Sequence, residues 1–175
     1  MRILLTGGSA NGKSTFAESL AVKLGGKLWY IAAMMPYGEE SEARIRRHRA
    51  MRAEKGFTTI ERYTDIAGLA IPERGTVLLE CLCNLTANEM FEPDGAGEDT
   101  VNAVLRGIDA LEKQSDNLIV VTNDVGSDGG GYDGLTMRYV DALGEINQRL
   151  AQRFDSVYEL VCGIPLPLKG ELSWA

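Results

Sequence analysis

Short apolar runs alternate with amphipathic stretches along this chain, and the alternation predicts its secondary structure. A short run of consecutive apolar residues is typical of a strand buried on both faces, whereas apolar residues that recur every three or four positions are typical of a helix. The runs predict strands over 2–6, 27–33, 57–61, 76–81, 117–123 and 156–162.

Helices are predicted in the segments between these runs. They cover 14–24, 39–55, 84–91, a segment from Thr100, which we expect to cap it, and a long helix after 134. The buried face of the long helix is predicted to comprise Leu135, Tyr139, Leu143, Ile146 and Leu150. Five glycines within 126–134 predict a mobile loop before that helix.

Strands that alternate with helices predict an α/β fold. We expect a mostly parallel sheet of about five or more strands with helices on both faces. A length of 175 residues suits one domain that spans 1–175 and buries a substantial core.

Composition narrows the class of protein. The formal net charge of −7 disfavours general nucleic-acid binding, which needs clustered basic side chains, so a small-molecule substrate is expected. The apolar run at 3–5 is far short of a signal peptide or a membrane span. The cysteines, Cys81, Cys83 and Cys162, lack zinc-type spacing and are expected to be buried thiols of a cytoplasmic protein.

The segment after the first strand matches the phosphate-binding pattern G-x-x-x-x-G-K-[ST]. Its residues are Gly7, Gly8, Ser9, Ala10, Asn11, Gly12, Lys13 and Ser14. Glycines allow backbone N–H groups to surround phosphates, and the following helix adds its positive N-terminal dipole. Lys13 is expected to reach the terminal phosphates and Ser14 to hold Mg²⁺. The motif predicts nucleotide binding without specifying the reaction.

Two acidic residues follow predicted strands at the edge where an α/β sheet binds its ligands. Glu80 follows a run of Val and Leu, and Asp124 follows 117–123. Both are candidate Mg²⁺ ligands, although each is also compatible with a solvated loop carboxylate. The spacing does not decide between them.

The only histidine, His48, lies among five arginines in residues 44–52. Arg44, His48 and Arg52 are four residues apart and would share one ridge of a helix. Guanidinium groups bind phosphate oxygens, and a histidine between them could act as a base or as a nucleophile toward phosphorus. A solvated charged helix face is the alternative interpretation.

Taken together, these segments resemble the family of bifunctional adenosylcobinamide kinase / adenosylcobinamide-phosphate guanylyltransferases. The resemblance covers nearly the whole chain in order, and its segments are TGGSANGKS, YIAA at 30–33, RIRRHRAMR at 44–52, TTIE at 58–61, LLECL at 78–82, VTNDVG at 121–126, INQRLA at 146–151 and GIPLPLKG at 163–170.

The resemblance implies a RecA-like P-loop fold and a trimer with sites near subunit boundaries. It implies a kinase step using ATP or GTP, then attack of a histidine on GTP to form a covalent GMP–histidine that guanylylates adenosylcobinamide phosphate. By this match His48 is the nucleophile, and Lys13 of the phosphate loop is the second catalytic residue expected. The implied nucleotide contacts are Gly7 to Ser14, Ala32, Ala33, Met34, Arg49, Ala50, Met51, Arg52, Glu61 and Glu80.

The chain departs from the family pattern at several positions. Ala10 and Asn11 replace an arginine and a serine, Phe57 replaces a tryptophan, and Asp124 replaces a glutamate. After Gly126 the loop reads SDGGGYDG instead of G-I-V-P. A different P-loop small-molecule kinase and a non-catalytic nucleotide sensor therefore stand as alternatives at this stage.

Overall fold

A computed structural model of the chain describes residues 1–36, 45–46, 49–50, 52–126 and 132–171. Its described part is built around a seven-stranded sheet. The strands are β1 (Arg2–Thr6), β2 (Lys27–Ala32), β3 (Phe57–Glu61), β4 (Gly75–Leu79), β5 (Asn117–Val121), β6 (Ser156–Val161) and β7 (Ile164–Lys169).

The strand order is β3-β2-β4-β5-β1-β6-β7. Strands β1 to β6 pair in parallel, which confirms the predicted α/β architecture, and only β7 runs antiparallel, against β6. The sequence did not predict β7 because Pro165 and Pro167 interrupt it. Proline cannot donate to a strand ladder and is tolerated at a sheet edge, which is where β7 lies.

Four helices are bounded within the described residues, and they confirm the predicted helical segments after β1, β4 and β5. They are α1 (Lys13–Leu24), α2 (Leu82–Phe91), α3 (Thr100–Gln114) and α4 (Gly134–Arg153). Residues 45–46, 49–50 and 52–54 are also helical, as predicted for 39–55. The rest of that segment and residues 127–131 of the predicted mobile loop lie outside the described residues.

Three sequence-based expectations are wrong in detail. Thr100 does not cap α3: it is the first helical residue, and its hydroxyl donates a hydrogen bond to the carbonyl of Gly97. Leu135 is 60% exposed because it lies in the first turn of α4, before the helix reaches the core. Cys162 is exposed because it occupies the tight β6–β7 turn, whereas Cys83 is buried.

The sheet carries a hydrophobic core on each face. Successive side chains of a strand point to opposite faces, so Ile3 and Leu5 join one core while Leu4 joins the other. The core that contains Ile3 and Leu5 includes Ala17, Leu20 and Ala21 of α1. The core that contains Leu4 includes apolar residues of α2, α3 and α4. No described helix is long and apolar enough to cross a membrane.

The parallel strands bring the predicted phosphate loop and two other segments to one edge of the sheet. Strands β1, β4 and β5 end at Thr6, Leu79 and Val121, so the residues that follow them are neighbours. The backbone N–H of Thr122 donates to the carbonyl of Leu5 at 2.9 Å, which holds β5 beside the start of the loop. Ligands of open α/β sheets bind at this edge.

Candidate active site

The phosphate loop connects β1 to α1 through a backbone that includes left-handed conformations. Gly12 has φ 84°, and Ala10 adopts φ 58°, which is uncommon for a residue with a side chain. A Cβ on Gly7 (φ 129°) would lie 2.5 Å from the carbonyl oxygen of Leu160, so this position requires glycine. The loop thus packs closely against β6 before it enters α1.

Lys13, the first residue of α1, is folded back over the loop. Its Nζ donates hydrogen bonds to the carbonyls of Gly7 (2.8 Å) and Gly8 (2.6 Å), and the side chain is only 6% exposed. Burial lowers the pKa of Lys13, an effect that the nearby Cys83 and Cys81 oppose. An ammonium group has three donors, so one remains for a phosphate oxygen beside these two bonds.

A cleft of about 400 Å³ opens beside this loop. Its lining contains most of the predicted loop residues together with Glu80. The lining residues are Ser9, Ala10, Asn11, Gly12, Lys13, Ser14, Thr15, Glu80, Cys81, Asn84, Val121, Thr122 and Asn123. Because the loop amides and the N-terminus of α1 are electropositive, this first cleft suits the phosphate groups of a nucleotide.

A second cleft, of about 490 Å³, adjoins the first and shares Ala10 and Glu80 with it. Its lining combines apolar side chains with two carboxylates and one arginine. The lining residues are Ala10, Ala32, Met34, Ile45, Arg52, Glu61, Tyr63 and Glu80. Glu80 lies where the two clefts meet, and its backbone N–H donates to the carbonyl of Ile31, extending the β4–β2 pairing by one residue.

Charged and polar groups of the second cleft interact with one another. Arg49 forms an ion pair with Glu61 at 3.3 Å, and the Tyr63 hydroxyl donates to the other oxygen of Glu61 at 3.4 Å. The guanidinium of Arg52 lies over the ring of Tyr30, 3.8 Å from its centroid. Arg49 is largely exposed, whereas Arg52 is 4% exposed.

Comparison with known proteins identifies the chain. The sequence profile of the CobU family, described as cobinamide kinase / cobinamide phosphate guanyltransferase, matches residues 3–168. The chain belongs to the CobU family. It is therefore a bifunctional cobinamide kinase and cobinamide phosphate guanylyltransferase of adenosylcobalamin biosynthesis.

Relatives from two bacteria match this CobU-family chain over almost its whole length. It is 35% identical to the bifunctional adenosylcobalamin biosynthesis protein CobP of Pseudomonas aeruginosa, with 98% of this chain and 99% of that protein covered. It is 32% identical to the bifunctional adenosylcobalamin biosynthesis protein CobU of Escherichia coli, with 97% and 100% covered. These matches confirm the resemblance inferred from the motifs.

Solved structures confirm the RecA-like fold of the CobU-family chain. One of them, an ATPase domain, has a TM-score of 0.53 at 12% identity, and the match covers 90% of this chain and 68% of that domain. A KaiC-like protein from Pyrococcus horikoshii has a TM-score of 0.51 at 14% identity, with 90% and 71% covered. At these identities the likeness concerns the fold alone.

The structure does not bring every predicted site residue of the CobU-family chain to a cleft wall. Ala33 is buried, and its carbonyl accepts a hydrogen bond from Asn88, while Ala50 is exposed. Asp124 is exposed and lines neither cleft, although its backbone N–H donates to the carbonyl of Gly7. His48 and Met51 lie outside the described residues.

Several cleft residues were not predicted from the sequence. Asn84, Thr122 and Asn123 line the first cleft, and Ile45 and Tyr63 line the second. Thr122 and Asn123 directly follow β5, so the rule that ligands bind at the carboxyl edge of the sheet could have identified them. Asn84 lies within α2, and only the packing of that helix reveals its position.

Two thiols at the start of α2, those of Cys81 and Cys83, lie at or next to the first cleft. Cys81 caps the helix by accepting a hydrogen bond from the N–H of Asn84 at 3.4 Å, and Cys83 accepts one from the N–H of Asn123 at 3.3 Å. Interaction with the Cys81 thiol is the main cause that lowers the pKa of Cys83, and the same pairing raises the pKa of Cys81. The described residues contain no cluster of three metal-ligating side chains.

Proposed function

We propose that this enzyme performs guanylylation through a covalent GMP–His48 intermediate, with GTP lying across the two clefts. The observation that carries the proposal is the continuity of the clefts. The phosphate loop lines the first, and Ile45 and Arg52, which flank His48 in sequence, line the second. Ala10 and Glu80 belong to both linings, so one nucleotide could contact both.

The walls of the second cleft favour guanine over adenine. Ala32, Met34 and Ile45 form an apolar wall suited to a flat base, and Glu61 provides a carboxylate acceptor. Guanine presents ring N–H and amino donors on the edge where adenine has no matching pair, so a carboxylate at this place discriminates between the bases. We propose these residues as the guanine-binding wall, with Arg49 supporting Glu61.

The proposed chemistry has two stages. In the kinase stage the hydroxyl of adenosylcobinamide attacks the γ-phosphorus of ATP or GTP, and the nucleoside diphosphate leaves. In the transfer stage a nitrogen of His48 attacks the α-phosphorus of GTP, and the bond to pyrophosphate breaks. The phosphate of adenosylcobinamide phosphate then attacks the same phosphorus, which frees His48 and yields adenosylcobinamide-GDP. Lys13 would stabilise the charge on the departing groups.

The first cleft also fits Mg²⁺. This ion is held in nucleotide sites by one or two protein oxygens together with substrate phosphates, and it supplies charge neutralisation there. Ser14 and Glu80 contribute a hydroxyl and a carboxylate to the cleft lining. We propose these two residues as the Mg²⁺ ligands in preference to Asp124, which lines neither cleft.

GTP radiolabelled at the α-phosphorus tests the covalent intermediate. After incubation with Mg²⁺ and denaturation, we expect the purified protein to retain label that is lost in acid and stable in base, as for a phosphoramidate. GTP labelled at the γ-phosphorus is the matched control and should leave no such label. Addition of EDTA should prevent labelling. Absence of α-label on protein that still binds GTP would contradict the intermediate.

We further propose a homo-oligomer, a trimer by the family resemblance, formed by one cytoplasmic domain. The apolar residues of β7 support self-association, since Ile164, Leu166 and Leu168 are 62%, 43% and 62% exposed. Such a row of exposed apolar side chains is typical of a surface that another chain covers. The three cysteines are free thiols, which suits a reducing compartment.

Leu168→Lys tests this surface. A charge placed in an apolar contact is costly to bury, so we expect the variant to sediment as a smaller species than the wild type. Lys23→Glu, a change at an exposed position in the last turn of α1, serves as the control and should leave the sedimentation coefficient unchanged. An unaltered oligomer in the Leu168 variant would show that this part of β7 is not the contact.

A further inference from the structure

The tight turn between β6 and β7 has an uncommon backbone. Its two central residues, Cys162 and Gly163, have φ angles of 52° and 80°, and Val161 pairs with Ile164 across them. Two-residue hairpin turns with positive φ at both positions favour Asn-Gly or Asp-Gly, and a positive φ is uncommon for cysteine. A conformation kept at such a local cost suggests a function for the turn.

The turn contacts the phosphate loop at two consecutive residues. The backbone N–H of Gly163 donates to the carbonyl of Asn11 at 3.1 Å. A Cβ on Gly12 would lie 3.3 Å from the Cα of Gly163, so the two backbones pack closely there. Asn11 and Gly12 line the first cleft, whereas Cys162 and Gly163 line neither cleft. The turn therefore supports the loop without being part of the cleft wall.

The hydrogen bond from Gly163 constrains the direction of a loop amide. In a planar trans peptide the C=O and the N–H point in opposite directions, so the carbonyl of Asn11 can face Gly163 only if the N–H of Gly12 is turned away from the hairpin. Loop amides are free to bind phosphate only when the loop carbonyls find partners elsewhere. Lys13 supplies these partners for Gly7 and Gly8, and Gly163 supplies one for Asn11.

The hairpin that carries this turn is attached to the rest of the fold on two sides. Strand β6 pairs with β1 on one edge and with β7 on the other. At the far end of β7, the Nζ of Lys169 donates to the carbonyls of Ala151 (3.1 Å) and Gln152 (2.8 Å) in α4. The sheet and α4 therefore fix the position from which Gly163 contacts the loop.

We propose that Gly163 is a positioning residue of the phosphate site, which holds the Asn11–Gly12 peptide with its N–H directed toward a bound phosphate. The inference rests on the proposed function in one respect, namely that the first cleft holds the nucleotide phosphates. It assigns to the β6–β7 turn a part in nucleotide affinity, although no residue of the turn contacts the nucleotide.

The test measures the Kd of inorganic pyrophosphate and of GDP by titration calorimetry. Valine is strained at positive φ, so Gly163→Val should displace the turn, remove the bond to Asn11 and raise both Kd values by a similar factor of about 5- to 30-fold. Gly163→Asn is the conservative variant. Asparagine tolerates positive φ and keeps the N–H, and a Cβ at Gly163 would meet no described atom within 4 Å, its chain neighbours aside. Both Kd values should then stay within about 3-fold of the wild type.

Gly97→Val is the matched control for backbone strain. Gly97 also has a positive φ, 58°, with equally open space around its Cβ position, and it lines neither cleft. This variant should lower the unfolding temperature about as much as Gly163→Val and leave both Kd values unchanged. Gly163→Ala imposes a smaller strain and should raise them less, which keeps the test available if the valine variant does not fold.

The outcomes separate this inference from the proposed function. Wild-type affinity for pyrophosphate in folded Gly163→Val would overturn the positioning role, and so would equal weakening in Gly97→Val, since strain alone would then explain the loss. If the wild-type protein itself binds neither pyrophosphate nor GDP, the first cleft is not a phosphate site, and the proposed function fails together with the inference.

Discussion

We expect Lys13→Ala to abolish both the kinase and the guanylyltransferase reactions, with each rate reduced at least about 100-fold, the scale seen when one donor to a developing charge is removed. Both reactions displace a phosphate-containing leaving group, and Lys13 is the cation that the phosphate loop holds at the first cleft. Because both reactions are proposed to use this loop, we expect both rates to fall. Steady-state rates with each acceptor measure the effect.

The Lys13 side chain also stabilises the loop through hydrogen bonds, so the Lys13→Ala variant requires a folding control. Its bonds to the carbonyls of Gly7 and Gly8 would be lost, and each such bond contributes about 1 kcal/mol to stability. Thermal unfolding should therefore show a lowered but cooperative transition. Lys23→Ala, which removes the same charge from the exposed last turn of α1, should keep both activities. Wild-type turnover of Lys13→Ala in either reaction would contradict the proposed role.

We expect His48→Ala to abolish guanylyl transfer while the kinase reaction is retained, which is the second large effect. Guanylyl transfer should fall by about 1000-fold or more, since removal of a covalent nucleophile eliminates the reaction path that it provides. The kinase reaction should persist, because in the proposed mechanism the acceptor hydroxyl attacks the γ-phosphorus without a covalent enzyme intermediate. Label from α-labelled GTP should disappear from the denatured protein.

The kinase reaction serves as the internal control of this experiment. A variant that still phosphorylates adenosylcobinamide must be folded and must bind nucleotide, so its failure in guanylyl transfer could not be attributed to misfolding. Loss of both reactions together would favour a binding role for His48 over a nucleophilic one. Retention of guanylyl transfer would show that another group carries the GMP.

Much of the architecture could be predicted from the sequence because local patterns specify it. The buried strands β1, β4 and β5 are continuous apolar runs, and the phosphate loop follows β1 with its consensus glycines and Lys13. Glu80 was predicted correctly as a residue at the carboxyl edge because it directly follows β4. These features depend on neighbours in sequence, so they are visible without the tertiary structure.

The elements that were missed depend on contacts distant in sequence. Strand β7 has two prolines and mostly exposed side chains, and it is ordered by pairing with β6. Glu80 directly follows β4, whereas Asp124 comes three residues after the end of β5 and is exposed. An acidic residue near the carboxyl end of a strand therefore does not by itself line a cleft, and the path of the chain after the strand decides it.

The sequence by itself determined the α/β class, the phosphate loop and the family, because strand runs, glycine spacing and ordered motifs are properties of contiguous residues. Only the tertiary structure decided that the phosphate loop and the segment after His48 border two joined clefts, with Glu80 between them. It also decided that Arg52 rests on Tyr30. These relations arise from the strand order of the parallel sheet, which brings together segments far apart in the chain.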